Sequence, residues 1–173
     1  MSESNIFAAH NHLTCIEKAM TDAKAICRVK KARLTALREL VLELIWQNHQ
    51  PLGAYQLMDK LRERYEGNVA PPTVYRALDF LQEYGLVHRL ATLNAYIGCS
   101  QLHQRDHQPS FFICKECNNA MEVNTPRVTQ AIREIASARQ FSANKGGAVE
   151  VLGLCNSCSR SSRAPQQKEL LDV

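Results

Sequence analysis

No stretch of the 173-residue chain approaches the roughly 20 apolar residues of a membrane span. Its first residues, MSESNIFAAHNH, lack the basic start and apolar run of a secretory leader, so the cytoplasm is the expected compartment. A strong charge excess is missing too. The net charge of +4 divides evenly, with 12 Lys/Arg against 10 Asp/Glu over residues 1–92 and 9 against 7 over residues 93–173. Charge alone therefore does not announce a nucleic-acid partner. The one local cluster, Arg28, Lys30, Lys31 and Arg33, reads most simply as a solvated link between helices. No Ser/His/Asp arrangement, phosphate loop or paired acid points to an enzyme, and there is no internal repeat.

Cysteine is what the chain does have. Seven cysteines in a reducing compartment argue for metal ligation rather than disulfides. Four of them form two Cys-x-x-Cys knuckles, Cys114/Cys117 and Cys155/Cys158. Each knuckle puts two thiolates on one tight turn, and the two together supply a closed tetrahedral zinc site. A redox dithiol needs one such motif opening a helix in a thioredoxin-like setting, and that setting is absent. Four unliganded buried thiols is the remaining alternative. A Cys₄ zinc is coordinatively full and contributes on the order of 10 kcal/mol to folding. Its role is to hold shape, so a sensor needs a second, weaker site. Cys15 and Cys27 read as helix-packing residues.

The periodicity divides the chain into two small units, each hard to stabilise by an apolar core alone. Leu13, Ile16, Ala19, Met20, Ala23 and Ile26 repeat at three and four, marking a helix over residues 10–28. Thr35 caps a second helix with Leu37, Leu40, Val41, Leu44 and Ile45 inward. Pro51 and Gly53 break the chain before a third, with Tyr55, Leu57, Met58 and Leu61 inward. Residues 70–84 form a fourth, opened by two prolines and stopped by Gly85 in the left-handed conformation. LVHRL and AYIGC then flank ATLN as a hairpin. Helices followed by a hairpin in this order make a winged helix-turn-helix.

After Cys99 the polar SQLHQRDHQP reads as a linker. SFFIC and AMEV are strands around the first knuckle. Residues 125–140 are a helix with Val128, Ile132 and Ile135 inward, and AVEVLGLC is a strand ending at the second knuckle. The expected class is α+β. A winged DNA-binding domain spans residues 1–98, a hinge 99–109, and a small α/β dimerisation domain with the zinc knuckle 110–158. A disordered tail covers 159–173.

Spacing leaves a second set open. His88, Cys99, His107 and Glu122 surround the first knuckle and converge if the linker folds back. Taken singly, a His or Glu is commonly a surface group and a Cys commonly core. The exposed face of the fourth helix carries Thr73, Tyr75, Arg76 and Asp79. Arg76 can donate a bidentate pair to guanine, and a phosphate contact that positions without specifying is the alternative. Tyr75 suits a thymine methyl or a phosphate, and Lys31 and Arg33 suit backbone phosphates.

Three stretches carry a resemblance: PPTVYRALDFLQEYGLVHRL, the NAYIGC that ends the wing, and the FFICKEC knuckle. They resemble the ferric uptake regulator family, and within it the zinc-sensing branch, the zinc uptake regulators. The resemblance covers nearly the whole chain. It implies that His88, Cys99, His107 and Glu122 bind regulatory zinc, giving two zinc ions per chain, one structural and one regulatory. It implies a homodimer that represses zinc-uptake genes by binding palindromic operator DNA, with Tyr55 a further DNA contact. It also implies pairing of dimers through an Asp/Arg contact. Asp59 and Arg62 stand at the matching positions, where a local surface pair is the simpler reading.

The ligand chemistry agrees with zinc. One thiolate, two imidazoles and a carboxylate suit it, whereas Fe(II) and Mn(II) favour O/N ligands at higher coordination. The His-rich linker run of iron-sensing relatives is reduced here to His103, Arg105, Asp106 and His107. That reduction leaves open whether His103 or Asp106 binds a third metal; a solvent-exposed loop residue is the alternative for His103. An iron or manganese regulator is the runner-up function. A constitutive DNA-binding or interaction module with structural zinc only is the second alternative, and a zinc enzyme the third.

Overall fold

The computed structural model describes residues 12–47, 50–102, 108–142 and 148–162. The first unit holds helices α1 (His12–Val29), α2 (Ala36–Trp46), α3 (Ala54–Arg64) and α4 (Pro71–Glu83), followed by strands β1 (Val87–Leu90) and β2 (Ala95–Gly98). The second holds β3 (Ser110–Cys114), β4 (Ala120–Val123), helix α5 (Pro126–Ala138), β5 (Val149–Gly153) and the short α6 (Asn156–Ser162). The class is α+β, a winged helix-turn-helix joined to a small α/β unit.

Local chemistry sets the helix ends. Thr35 has extended backbone and its hydroxyl accepts from the Arg38 N–H at 3.5 Å, which starts α2. Gln56 reaches back to the Gly53 N–H at 2.9 Å and fixes the start of α3. Pro71 and Pro72 occupy the first turn of α4, where an N–H would have no helical partner. Gly85 ends that helix at φ +69°, a conformation that penalises any Cβ.

The first core is a helix sandwich. Val41, Leu42, Leu44 and Ile45 of α2 meet Leu57 and Leu61 of α3 and Val74, Leu78 and Leu81 of α4, all nearly inaccessible to water. Full burial of each such side chain stabilises by about 1.5–3 kcal/mol. Helix α1 packs through a narrower stripe than the sequence suggests. Ala19, Ala23 and Cys27 are buried, Met20 and Ile26 are partly covered, and Leu13 is 68% exposed. Small side chains at i, i+4 and i+8 let α1 lie close on α2. Cys27 is thus a packing residue, and Cys15 is half-buried. Tyr55 is a correction: it was expected inward, but α3 buries Ala54, Leu57, Met58 and Leu61 and leaves Tyr55 69% exposed.

The hairpin pairs Val87 with Gly98 and Leu90 with Ala95, and Leu52 adds a bridge to Tyr96. Gly98 is glycine for space. A Cβ there would run into the Trp46 indole, which roofs the strand just before Cys99.

The second sheet has the order β4-β3-β5, antiparallel then parallel. Its residues alternate between two faces. Phe111, Ile113 and Ala120 face the wing and are buried against Leu90 and Ile97. Phe112 and its partner Val151 sit on the other face, 45% and 46% exposed. The wing alternates in the same way: His88, Leu90 and Ile97 face the sheet, while Val87 and Tyr96 join the helical core. The hairpin is therefore the middle layer between the two units.

Two further expectations are corrected. Val128 and Ile135 of α5 are 44% and 65% exposed in the single chain, and Thr129 is the residue that α5 buries. Helix α6 occupies residues 156–162, so residues 159–162 are helical where the disordered tail was expected to begin. Residues 163–173 lie outside the described residues.

Candidate metal centres

The parallel pairing of β3 and β5 brings the two knuckles together. Cys114, the last residue of β3, is in register with Gly153, and the Lys115 N–H donates to the Gly153 carbonyl at 2.9 Å. Asn118 at φ +56° turns the first knuckle, and its N–H closes onto the Cys114 carbonyl at 2.9 Å. Cys155 follows β5, and Cys158 stands in the first turn of α6.

All four sulfurs lie within 4.8 Å of one another, and the Cys117 and Cys155 sulfurs are 3.9 Å apart. A zinc–sulfur bond of about 2.3 Å puts tetrahedral sulfurs roughly 3.8 Å apart, so the donors fit zinc in kind and in spacing. The Cys155 N–H donates to the Cys114 sulfur at 3.3 Å. Burial pushes the Cys114 thiol up, but N–H groups of Cys117, Cys155 and Glu116 overcome it and bring the thiol down to about 6. Cys158 moves the other way. Its hydrogen bond with Cys155, and then burial, push it up to about 12. Four thiolates cannot share this space without a cation, and a divalent one would let all four ionise.

The second centre lies where the wing meets the sheet. His88 of β1, Cys99 just past β2, and Glu122 of β4 present ligand atoms within 4.8 Å of one another. The His88 Nε2 is 3.3 Å from a Glu122 carboxylate oxygen, and the two side chains are 16% and 2% exposed. Phe111 packs edge-on against the imidazole, with ring centroids 5.5 Å apart. The other Glu122 oxygen accepts from the Ser100 N–H at 2.6 Å and its hydroxyl at 2.8 Å. Ser100 thus orients the carboxylate so that one oxygen faces the histidine. The fourth expected ligand, His107, lies outside the described residues, as do His103 and Asp106. A thiol, an imidazole and a carboxylate held this close together suit zinc.

Burial lowers the affinity of His88 for a proton, but hydrogen bonds to Cys99 and Glu122 outweigh it and raise its pKa from 6.5 to about 9. A divalent cation must displace that proton at neutral pH. Metal affinity at this centre is therefore expected to rise with pH towards about 9. Proton release on binding, measured by calorimetry in two buffers of different ionisation enthalpy, checks this. Without metal the sign reverses. The pair's contribution to folding is complete below 6.5 and is lost as pH rises through about 9.

Other nominated residues stay apart from both centres. Tyr75 and Arg76 are exposed on α4, and Thr73 is half-buried. Lys31, at φ +51° in the turn after α1, and Arg33 are also exposed. Asp59 and Arg62 pair with each other at 3.1 Å on the surface of α3, a contact worth about 0–1 kcal/mol. Two contributors escaped the sequence reading, Ser100 and Glu150. Glu150 accepts from the Ala91 and Thr92 N–H groups at the wing tip, at 2.7 and 2.9 Å. A hint was available, since Glu150 is the polar interruption of an apolar strand beside a cysteine knuckle.

Known proteins resemble this chain along most of its length. Residues 29–147 match the model of the ferric uptake regulator family. The chain is 36% identical over 156 residues to the zinc uptake regulation protein of Escherichia coli (strain K12), covering 89% of this chain and 90% of that one. It is 26% identical over 143 residues to the ferric uptake regulation protein of Campylobacter upsaliensis, covering 81% and 88%. A solved structure of a zinc uptake regulator complexed with zinc and DNA superposes with a TM-score of 0.80 at 34% identity, covering 85% of this chain and 97% of that one. Among the described residues no helix is long and apolar enough to cross a membrane.

Proposed function

Because this chain belongs to the ferric uptake regulator family, we propose that it is a zinc-responsive transcriptional repressor. It binds palindromic operator DNA as a homodimer when regulatory zinc is bound, and it represses zinc-uptake genes. The observation that carries this reading is the cluster of His88, Cys99 and Glu122 at the seam between wing and sheet. Its sulfur donor favours zinc over iron or manganese. The likeness to a zinc uptake regulation protein and to a zinc- and DNA-bound structure supports the same choice.

Each chain holds two zinc ions. Cys114, Cys117, Cys155 and Cys158 hold the structural one, and His88, Cys99 and Glu122 hold the regulatory one with His107 as fourth ligand. With His107 as the fourth ligand of the second centre, both sets would be full and leave no open position for a substrate, as suits a regulator rather than an enzyme. Its place of action is the cytoplasm. Residues 1–98 form the DNA-binding domain, 99–109 the hinge and 110–158 the dimerisation domain. The second copy covers the apolar surface of Phe112, Val151, Val128 and Ile135 that one chain leaves open.

Bound zinc supplies a divalent charge that neutralises the Cys99 thiolate and the Glu122 carboxylate across the seam. His88 and Cys99 bracket the wing, and Glu122 belongs to the dimerising sheet. The closed seam therefore fixes the separation of the two α4 helices in a dimer. An open hinge lets them splay, and few molecules then match a two-fold operator. Moving the equilibrium from mostly open to mostly closed takes about a 10⁴-fold preference of zinc for the closed form. On DNA, Arg76 and Tyr75 face base edges with Thr73 beside them. Lys31 and Arg33 meet the backbone, and Tyr55 is a further contact. A dimer–dimer contact through Asp59 and Arg62 requires the two to exchange partners.

Operator binding measured against buffered free zinc tests the reading. Binding is expected to rise with zinc while one tightly held ion per chain stays in place throughout. Arg76→Ala is expected to lose about 5–150-fold in specific affinity, the value of one bidentate base contact. Binding that follows iron or manganese instead, or that persists with the Cys₄ zinc alone, overturns the proposal.

A further inference from the structure

Glu150 is on β5, in neither of the two metal centres, and it faces the wing. The register explains why. Phe111 of β3 pairs with Glu122 on one side and Glu150 on the other, so one row across the sheet reads Glu122, Phe111, Glu150. The centre of that row packs on Leu90 and Ile97 of the wing. Its two ends are carboxylates that grip opposite ends of the same hairpin. Glu122 holds the base, through Ser100 and His88. Glu150 holds the tip, with one carboxylate oxygen on the Ala91 N–H at 2.7 Å and the other on the Thr92 N–H at 2.9 Å. Burial pushes the Glu150 carboxyl up, but its hydrogen bonds to Thr92 and Ala91 overcome that and hold it below the usual glutamate range. It is therefore charged at neutral pH, where a carboxylate accepts most strongly.

We propose that Glu150 is a metal-independent latch, a positioning residue that seats the wing tip on the dimerisation sheet so that His88 and Cys99 already face Glu122 before zinc binds. The latch rests on the zinc-repressor reading for its consequence but not for its existence. A wing seated in advance removes part of the ordering that zinc binding would otherwise have to supply. The apparent affinity of a ligand scales with the fraction of its receptor already competent. A third contact supports the seating from elsewhere in the winged domain: the Gln50 side-chain amide donates to the Cys117 carbonyl at 3.4 Å.

The test uses full-length protein carrying structural zinc only, and compares wild type with Glu150→Gln and Glu150→Ala. Hydrogen exchange at residues 91 and 92, followed by mass spectrometry or NMR, reads the latch without DNA or regulatory zinc. Exchange there is expected to speed up about tenfold in Glu150→Ala, equivalent to about 1.4 kcal/mol. Glu150→Gln, which keeps one acceptor oxygen, should fall between the two. Zinc affinity at the second centre, from competition with a chelator, should weaken in the same order by up to about tenfold. Zinc at the cysteine knuckles and dimerisation should be unchanged. A Glu150→Ala that fails to fold leaves the comparison to Glu150→Gln. Unchanged exchange at residues 91 and 92 in whichever variant folds overturns the latch. Faster exchange with unaltered zinc affinity overturns its proposed consequence. A wild type whose operator binding ignores zinc overturns the repressor reading, while the exchange result still decides whether the latch exists.

Discussion

Cys99→Ser is expected to abolish zinc-dependent operator binding while leaving one zinc ion per chain in place. Cys99 is fully buried at the end of the wing, and its backbone N–H is held by the Leu86 carbonyl at 3.0 Å. Serine fits that space with little change of volume, so the fold should survive. What is lost is the soft anionic donor. A serine hydroxyl stays protonated at neutral pH and binds zinc far more weakly than a thiolate. Loss of an outer partner of a metal site already costs about 10–100-fold in affinity, and loss of a direct ligand should exceed that. The expected readings are one zinc per chain instead of two, no response to zinc in a binding assay, and a melting profile close to that of wild type carrying structural zinc only. Cys15→Ser, at a half-buried position on α1, is the matched control and should behave as wild type. If Cys99→Ser still tightens on its operator as zinc rises, the regulatory centre lies elsewhere.

The second large effect concerns the other cluster. Cys155→Ser is expected to unfold the C-terminal unit, abolish dimerisation and eliminate operator binding at every zinc concentration. The reason is size. Residues 110–162 form three short strands and two helices, and apart from the ligand Cys114 their buried apolar side chains are few among the described residues: Phe111, Ile113 and Ala120, with Thr129 the buried residue of α5. Strand β5 is half-buried at its start and exposed from Val151 onward. A unit of this size seldom gains more than about 3–5 kcal/mol from its core, whereas a structural zinc supplies about 10–16 kcal/mol. Circular dichroism and sedimentation should show a monomer whose helical winged domain persists, because that domain has its own core. A strong chelator acting on the wild type should reproduce the result. A Cys155→Ser dimer with intact zinc response would show the knuckle to be dispensable.

Much of this architecture is legible along the chain because its signals are local. Helix caps, paired prolines, a left-handed glycine and period-2 alternation act over a few residues, so Thr35, Pro71, Gly85 and both wing strands stand where the sequence puts them. The cysteine knuckles are equally local in pattern. Where the reading failed, the deciding partner was not local. Tyr55 is the exception: it sits about 100° around α3 from Ala54, off the stripe of Ala54, Leu57, Met58 and Leu61, so the helical period itself leaves its ring outside. Val128 and Ile135 form a helical stripe whose cover is absent from the single chain.

The sequence by itself determined the winged domain, the four-sulfur cluster and the ligand types that favour zinc, because each follows from residue chemistry within a short stretch. Only the tertiary structure decided which face of the wing meets the sheet. It also decided that Ser100 orients Glu122 and that Glu150 holds the wing tip. Those contacts span 22 and 59 residues of chain. They depend on strand register, and a shift of one residue would turn every such side chain to the opposite face.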